Sequence, residues 1–523
     1  MAELFDSPES ASLRAVADAL VRPGELSVDS GETESFLLAR TGRGSGRIGK
    51  DTAVGPVPLR SMVALVAESG DRPLLLSVNQ EGGRLNALDW PGTEQLPGAL
   101  ALGAADSEEL AALAGAATGA QLRATGLRWN LAPVCDLARW PSARVVGARA
   151  FGPDPGRVAA LAAAFVRGCQ KENVAACAKH FPGLGTATTD PHETLTVVDA
   201  LPPGSLLPFR EAVGAGVASV MVGSHVVRCF GDRPAFASPE VLALLREELG
   251  FDGVAVSENL SIPAAHAPFG SVEAAAVAAV AAGIDVVMLD SEISRGGQDV
   301  ERRIAAIHLR QRVVAALCRA VEKGSIPAER VYEAARRVTA MRARYGLRRG
   351  ETLPPWAAAN HRAKAAALTI ARAGLAVPRG QDLLPLPERQ AVVVARVPDR
   401  GSRRADSARF APHLLPECLA RSVPVTSAEP ASVVPGTGPV LVCGYDTTTP
   451  SGGSASAVAA NRIAASGRFV VHVSFGTLDE FDGSLAPVLI AAGSPHAASV
   501  QAVAEALLGR LRPSGRLPIG GPW

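Results

Sequence analysis

The chain alternates short apolar runs with longer segments that mix apolar and charged residues. Six of the apolar runs end in or near a polar residue: PLLLSVNQ, LRWNLAPVCD, VAACAKHF, ASVMVGSH, GVAVSEN and GIDVVMLD. The segments between them, such as SEELAALAGAATGAQLRATG, carry apolar residues at the spacing of helices that cover a parallel sheet. The order of strand, helix and strand is therefore predicted to repeat at least five times.

Repeated strand–helix units of this kind are typical of a doubly wound sheet or of a (β/α)8 barrel. Polar residues follow most of the predicted strands, as expected where many loops converge on the mouth of one barrel. A doubly wound fold uses chiefly one crevice, and the chain has neither G-x-G-x-x-G after its first strands nor a P-loop pattern. The pattern therefore favours a barrel.

A second set of strand signals lies nearer the C-terminus, in AVVVARV, PVLVCGYD, RFVVHVSFG and APVLIAAG. Helical pattern runs to Leu347, two prolines follow at positions 354 and 355, and AANHRAKAAALTIARAGL predicts one more helix. We therefore predict an α/β chain in three parts. These are a (β/α)8-like domain at residues 1–350, a helical linker at 351–380 and a smaller α/β domain at 381–523.

Composition narrows the class of partner. Charged residues make up 20% of the chain and the formal net charge is +1, which leaves no electrostatic footprint for nucleic acid or an anionic membrane. The seven cysteines are scattered without C-x-x-C spacing and are interpreted as reduced core thiols. The N-terminus is acidic where a secretory signal is basic, and the most apolar stretch, 274–284, is too short to span a bilayer. We therefore expect a cytoplasmic location, with no nucleic-acid and no membrane partner.

The densest cluster of ionisable residues is the segment KHFPGLGTATTDPH, at positions 179–192. It begins at a strand end with Lys179 and His180, and it ends with Asp190 and His192 two positions apart. At that spacing a carboxylate can hold an imidazole and raise its basicity, which suits a proton donor and acceptor near neutral pH. Alternatively, Asp190 caps a turn and His192 is a solvated loop histidine, and the spacing alone leaves both interpretations open.

The pattern K-H-F-P-G-x-G followed by D-x-H resembles the signature of glycoside hydrolase family 3, in its bacterial β-N-acetylglucosaminidase branch. Four further segments are similar to the family in the same order: NQEGGR, NLAPVCDLARWPSARVVGARAFGPDP, GFDGVAVSENLSIPAA and, near the C-terminus, GRLPIGGP. The resemblance covers roughly residues 70 to 375 well and the C-terminal part loosely. It implies a (β/α)8 TIM-like barrel, which carries the catalytic site, followed by an α/β sandwich domain.

The resemblance also implies roles for particular residues. Asp190 and His192 correspond to the acid/base pair that the family carries on a mobile loop. Arg149, Lys179 and His180 correspond to residues that bind the sugar hydroxyls and the ring bearing the N-acetyl group. Arginine and lysine suit that task physically, because both donate hydrogen bonds to neutral hydroxyls and fix a ring in a dry cleft.

Four positions depart from the family's pattern. Ala87 stands where many members have a second binding arginine, and Leu184 replaces a histidine that is usual in the family; Glu258 and Asn79 are the other two. Glu258, in Ser257-Glu258-Asn259, stands where the family has its nucleophilic aspartate. Retaining glycosidases as a class use either acid, although the extra methylene moves the oxygens by on the order of 1 Å. Asn79 stands where the family has an aspartate that holds distal hydroxyls of the ring. Each change alone is tolerable, but the four together predict an altered sugar or leaving group, or the loss of hydrolysis.

The expected activity is that of a retaining β-glycosidase, similar to β-N-acetylhexosaminidases, which cleaves a terminal β-linked N-acetylhexosamine or related sugar from a carbohydrate or a glycosylated small molecule. Two alternatives stay open. A histidine acid/base does not repel phosphate, so a phosphorylase or transglycosylase fits, and the changed residues also fit a degenerate sugar-binding protein. Protonation and carboxylate attack complete the reaction, so we expect neither a metal nor an organic cofactor. The oligomeric state is not predicted.

Overall fold

A computed structural model of the protein describes residues 21–23, 56–69, 73–88, 90, 92–138, 146–184, 187, 194–289, 300–387, 390–397, 414–432, 438–445 and 453–518. Within these residues the chain builds two main sheets, one after the other, with helices between their strands. Two small two-stranded sheets accompany the first, Gln80–Gly82 with Leu85–Asn86 and Val197–Val198 with Val226–Val227. The order of the two main sheets agrees with the predicted barrel followed by a smaller α/β domain. The predicted domain boundaries themselves stay predictions.

The first sheet consists of short strands whose bounds are β1 (Val21–Pro23), β2 (Ser77–Val78), β3 (Trp129–Asn130), β4 (Ala175–Phe181), β5 (Ser219–Val222), β6 (Val254–Ser257) and β7 (Val287–Leu289). Hydrogen bonds join them in the order β2, β3, β4, β5, β6, and β7 pairs with β1. A bridge between Val256 and Val286 continues the order from β6 towards β7. All of these pairings are parallel, so the carboxyl ends of the strands open on one face.

The helices around this sheet are α1 (Pro56–Ser69), α2 (Ala99–Ala105), α3 (Glu108–Thr125), α4 (Pro155–Lys171), α5 (Leu207–Gly214), α6 (Pro239–Ala243), α7 (Pro263–His266), α8 (Val272–Ala282), α9 (Val300–Glu322) and α10 (Ala328–Tyr345). Their starts follow local sequence signals. Ser107 caps α3 by accepting a hydrogen bond from the backbone N–H of Leu110, and Asp154 caps α4, which opens on Pro155. All seven residues of β4 are buried, as expected for a strand covered on both faces.

The second sheet has strands β8 (Ala376–Arg379), β9 (Val392–Arg396), β10 (Val425–Ala428), β11 (Val440–Gly444), β12 (Val470–Ser474) and β13 (Val488–Ala491). Their order is β8, β13, β12, β11, β9, β10, and only the pairing of β8 with β13 is antiparallel. The four predicted strands are all present, whereas β8 and β10 were not predicted. The helices of this domain are α12 (Leu414–Ala420), α13 (Ala455–Ala465) and α14 (Ala497–Leu507).

The two domains pack closely against each other. Helix α11 (Trp356–Gly374) lies in the predicted linker and contacts α2 and α3 of the first domain and α14 of the second. One apolar core cluster also contains buried residues of both domains, among them Val134, Val146 and Leu184 from the first and Val442 and Leu478 from the second. The second domain therefore packs against described residues that follow β3 and β4.

None of the described helices is by itself long and apolar enough to cross a membrane. One bent pair, Pro263–Phe269 with Val272–Ala282, passes that test on length and composition alone.

Candidate active site

The described residues that the sequence analysis singled out meet at one face of the first sheet. Asn79 directly follows β2, Lys179 and His180 lie near the end of β4, and Glu258 directly follows β6. Arg149 reaches the same place from a single turn of 3-10 helix in the loop after β3. All of these positions are at the carboxyl ends of parallel strands, where (β/α)8 enzymes carry their active sites.

Glu81 lies at the centre of the binding residues. Arg149 donates to both carboxylate oxygens of Glu81, from Nε and from Nη2, at 2.8 Å each. Lys179 Nζ lies 2.6 Å from Oε1 of Glu81, and it also donates to Oδ1 of Asn79 at 2.7 Å. One carboxylate therefore holds two cations, and Lys179 links it to Asn79.

The cluster around Glu81 is buried, so its charges depend on one another. Burial by itself would raise the pKa of the Glu81 carboxyl, but Arg149 and Lys179 outweigh burial and lower that pKa to about 2. Burial acts against the charge of Arg149, yet Glu81, with smaller contributions from Asp136 and Glu258, raises the pKa of Arg149. Glu81 is therefore ionised and Arg149 protonated throughout the neutral range.

A second buried carboxylate holds the end of β4. Nδ1 of His180 lies 2.7 Å from Oδ2 of Asp136, and the backbone N–H of Leu184 donates to Oδ1 of Asp136 at 2.6 Å. Asp136 follows β3 in the segment LAPVCD. It thus orients the imidazole of His180 and fixes the start of the loop that leaves β4.

The third carboxylate of the site is Glu258, which is 6% exposed. Its Oε2 accepts two hydrogen bonds from Ser224, one from the backbone N–H at 2.8 Å and one from the hydroxyl at 2.6 Å. The charge of Glu258 contributes to the pKa of Arg149 and of His225, so Glu258 shares one electrostatic environment with both residues.

His225 is a fully buried imidazole next to this carboxylate. Burial lowers the pKa of His225 to about 4, although Glu258 and Asp136 act to raise it. Within the described part of the chain neither ring nitrogen has a hydrogen-bond partner. The ring is therefore neutral at physiological pH.

The predicted acid/base pair, Asp190 and His192, lies outside the described residues. Its assignment stays a prediction from the sequence.

The second domain reaches the segment that carries Glu81. Nε2 of His496 lies 2.6 Å from the backbone oxygen of Gly83 and 3.2 Å from Nδ2 of Asn86. The guanidinium of Arg84 lies over the ring of Tyr445, 5.7 Å from its centroid. The loop that presents Glu81 is thus held between the barrel and the second domain.

Among the residues that the structure describes, no group of three or more His, Cys, Asp and Glu side chains is placed to hold a metal ion. The carboxylates of the site are instead paired with cations, with an imidazole or with neutral donors. The arrangement can therefore bind sugar hydroxyls through Arg149, Lys179 and His180, and it presents Glu258 beside them.

Sequence reasoning did not assign roles to four residues of the site: Glu81, Asp136, Ser224 and His225. A signal for each was present, because Asp136 and His225 end apolar strand segments, and Glu81 and Ser224 lie beside such ends. What the pattern could not tell is which of these strand-end residues contact one another.

Comparison with known proteins points to one family. A model for the glycosyl hydrolase family 3 N terminal domain matches residues 56–341, more than half of the chain. A curated β-hexosaminidase of Stenotrophomonas maltophilia (strain K279a) is 37% identical over 239 residues, which are 43% of this chain and 70% of that protein.

Solved structures extend the likeness to both domains. A glycoside hydrolase family 3 β-N-acetylglucosaminidase from Paenibacillus sp. str. FPU-7 is similar with a TM-score of 0.79 and 27% identity, over 97% of this chain and 98% of that one. A β-N-acetylhexosaminidase from Beutenbergia cavernae DSM 12333 is similar with a TM-score of 0.51 and 30% identity, over 63% of this chain and 98% of that one. The predicted order of TIM-like barrel and α/β sandwich domain is confirmed.

Proposed function

The chain is a glycoside hydrolase and belongs to family 3, as its sequence motifs predict, and from this we propose that it is a retaining β-N-acetylhexosaminidase. It would release a terminal β-linked N-acetylhexosamine from a carbohydrate or a glycosylated small molecule. The similar proteins from Stenotrophomonas, Paenibacillus and Beutenbergia, which are named for that activity, support this substrate class.

The observation that carries the proposal is the placement of Glu258. It is a buried carboxylate at the carboxyl end of β6, bonded to the neutral donors of Ser224 and near enough to Arg149, a predicted sugar-binding residue, to raise the pKa of that residue. A carboxylate in such a place can attack an anomeric carbon, which is how retaining glycosidases form their covalent intermediate.

The reaction would run in two steps. First, a carboxylate oxygen of Glu258 forms a bond to the anomeric carbon while the bond from that carbon to the leaving oxygen breaks, and His192 gives its proton to the leaving oxygen. Then water attacks the same carbon, its proton passes to His192, and the Glu258 carboxylate is released. Asp190 would hold the imidazole of His192 in position for both transfers.

The Glu81 cluster would orient the sugar during these steps. Arg149 and Lys179 are already paired with Glu81, so their remaining N–H donors are held in fixed directions. Donors that are fixed before binding lose less conformational entropy when they bind a hydroxyl. The free energy needed to orient the sugar is therefore smaller.

Covalent labelling tests the role of Glu258. A 5-fluoro N-acetylglucosaminyl fluoride should add to Glu258, because electron withdrawal slows breakdown of the intermediate. Mass spectrometry of a peptic digest locates the adduct. Turnover of an ordinary glycoside with labelling at another residue, or with none, would remove Glu258 from this role.

Product analysis separates the alternatives. Release of free sugar indicates hydrolysis, whereas phosphate-dependent release of a sugar 1-phosphate would indicate a phosphorylase. Sugar binding without turnover, unchanged in Glu258→Gln, would indicate a degenerate binding protein.

The acid/base role of His192 needs its own test. His192→Ala should lower kcat/KM by on the order of 10² to 10⁴ for glycosides with poor leaving groups, the usual contribution of general acid catalysis. A dinitrophenyl glycoside should barely be affected in its first step, because its leaving oxygen needs no proton. Asp190→Asn should act in the same way but more weakly. Equal losses on both substrates would show that His192 positions the sugar or the loop.

A further inference from the structure

We propose that Ser224 is the positioning residue for Glu258 and that its hydroxyl adapts this site to a glutamate. The proposal rests on the proposed function, because it takes Glu258 as the nucleophile. Both donors of Ser224 reach the same oxygen, Oε2, with the backbone N–H at 2.8 Å and the hydroxyl at 2.6 Å. Two donors from one residue fix that oxygen in direction as well as in distance.

The register of the sheet explains why Ser224 is within reach. Strands β5 and β6 are parallel with Val222 opposite Ser257, and the N–H of Glu258 donates to the oxygen of Val222 at 2.9 Å. The backbone of Glu258 is thereby held beside the end of β5. Ser224 lies two residues beyond Val222. A side chain at position 258 therefore has to reach across from the end of β6 to the segment that follows β5 in order to contact Ser224. Glutamate does so, while aspartate is shorter by one carbon–carbon bond, about 1.5 Å.

The neighbours of Ser224 hold it in place. A Cβ on Gly223 would lie 2.4 Å from Nδ1 of His225, so the imidazole occupies the space that a side chain there would need. His225 is fully buried, and Ser224 itself is 2% exposed. The hydroxyl of Ser224 is therefore fixed by packing before any sugar binds.

Neutral donors suit a nucleophile better than a cation would. A hydrogen bond to a carboxylate favours its ionised form without cancelling its charge. Glu81 shows the opposite case, because two cations are bound to its oxygens. Ser224 can thus orient one oxygen of Glu258 without neutralising the carboxylate. Misplacement of a reacting group by about 1 Å can cost on the order of 10²-fold in rate.

The direct test replaces the hydroxyl. Ser224→Ala should lower kcat/KM by about 10- to 100-fold through kcat, with KM little changed, because orientation is lost and binding is not. The acidic limb of the kcat/KM profile should move to higher pH, since the carboxylate loses one donor. Ser224→Thr, which keeps a hydroxyl, should recover most of the rate.

A serine on the same strand provides a matched control. The hydroxyl of Ser219 is fully buried in β5, donates to the oxygen of Ala176 at 2.9 Å and accepts from Nε1 of Trp129 at 2.7 Å. Ser219→Ala therefore removes a buried hydroxyl far from the chemistry. It should lower the unfolding temperature while kcat/KM and its pH profile stay unchanged.

A double-mutant cycle tests whether the two side chains act together. In Glu258→Asp the carboxylate is too short to reach the hydroxyl, so adding Ser224→Ala should cost little more. A loss from Ser224→Ala that is equal in both backgrounds, or no larger than that from Ser219→Ala, would overturn the proposal. If Glu258→Asp is too slow to measure, the rates and pH profiles of Ser224→Ala, Ser224→Thr and Ser219→Ala decide whether the proposal holds.

The failure of this proposal can be told apart from failure of the proposed function. If Glu258→Gln abolishes turnover and the trap labels Glu258, but Ser224→Ala keeps the wild-type rate and pH profile, only the role of Ser224 is wrong. If Glu258→Gln keeps full activity, Glu258 is not the nucleophile, and both proposals fail.

Discussion

Glu81 and Glu258 are two buried carboxylates of one site, yet their partners differ in kind. The side chain of Glu81 is 5% exposed and binds the guanidinium of Arg149 and the ammonium of Lys179. Glu258 is 6% exposed and accepts from the backbone and hydroxyl of Ser224. Both carboxylates are largely shielded from solvent, so the partners decide what each carboxylate can do.

A carboxylate held by two cations is a structural counter-charge. Its pKa of about 2 shows how strongly Arg149 and Lys179 stabilise the charged form of Glu81, and the same attraction makes its oxygens poor nucleophiles. A carboxylate held by neutral donors keeps its charge available for reaction. The comparison therefore supports the proposed division, in which Glu81 holds Arg149 and Lys179 and Glu258 reacts, and mutation can test it.

The largest expected effect is on activity. Glu258→Gln should lower kcat by on the order of 10³-fold or more, as expected when a nucleophile is removed. Its free energy of unfolding should change by only about 1 kcal/mol, because the amide oxygen still accepts from Ser224 and Arg149 keeps both of its hydrogen bonds to Glu81. Steady-state kinetics and urea unfolding measure the two effects. Wild-type activity in this variant would show that Glu258 is not the reacting carboxylate.

The second effect is on stability. Glu81→Gln should lower the free energy of unfolding by about 3 to 5 kcal/mol, because it leaves Arg149 and Lys179 buried without their shared counter-charge. Glu505 is the matched control, since Arg372 binds it through Nε at 2.8 Å and Nη2 at 2.7 Å in a more exposed pair. Glu505→Gln should cost less than about 1 kcal/mol. Equal losses would mean that burial of the Glu81 cluster does not matter.

The third effect is on the pH dependence of the free energy of unfolding, to which His225 and Glu81 contribute in different pH intervals. His225, beside Glu258, has a folded pKa of about 4 against an ordinary 6.5, so the unfolded chain binds a proton in this interval and the folded chain does not. Stability is then complete above pH 6.5 and falls as the pH drops towards 4, by on the order of 3 kcal/mol. The contribution of Glu81 to stability is lost at lower pH than that of His225, because it is present above pH 4.5 and disappears as the pH falls towards 2.

Urea unfolding between pH 7.5 and 4 can separate these contributions. Two other buried histidines act in the same upper interval, because burial lowers the pKa of His472 to about 3 and that of His496 to about 4. His225→Asn should therefore reduce the slope of stability against pH by about a third. His361→Asn, at an exposed position on α11, should leave the slope as it is. An unchanged slope in both variants would contradict the assignment.

The smallest effect concerns sugar selectivity. Asn79→Asp gives Lys179 a second ionised acceptor, and hydrogen bonds to charged groups contribute roughly 1.5 to 3 kcal/mol. The variant should accept a simple N-acetylglucosaminide better, with KM lowered about tenfold and kcat little changed. Asn173→Asp adds the same charge outside the site and should have no effect. A loss on every substrate would show that Asn79 fits its natural sugar as it is.

Much of the fold could be predicted, because its strands are local features. The six apolar runs of the first domain and the four of the second all contain strands of the structure. In the second domain two strands were missed for physical reasons. β8 is a short antiparallel edge strand, and β10 has no buried residue, so neither carries the continuous apolar pattern of a covered strand.

The sequence could predict which residues belong to the site, but not which of them contact one another. The sequence spacing suggested a carboxylate–imidazole pair between Asp190 and His192, and the structure shows another such pair between Asp136 and His180, 44 residues apart. Both members of that pair were visible as strand-end residues. Nothing in their spacing indicates contact, because the contact is made across neighbouring strands.

The sequence by itself determined which strands form and which polar residues follow them, because a buried parallel strand needs a continuous apolar run and a polar residue ends it. Tertiary structure decided that Arg149 meets Glu81 from 68 residues away and that Ser224 meets Glu258 from 34. Parallel register brings the carboxyl ends of neighbouring strands together whatever their distance along the chain. A contact of that kind is a property of the closed sheet, so only the folded molecule separates the carboxylate that holds the site from the one proposed to react in it.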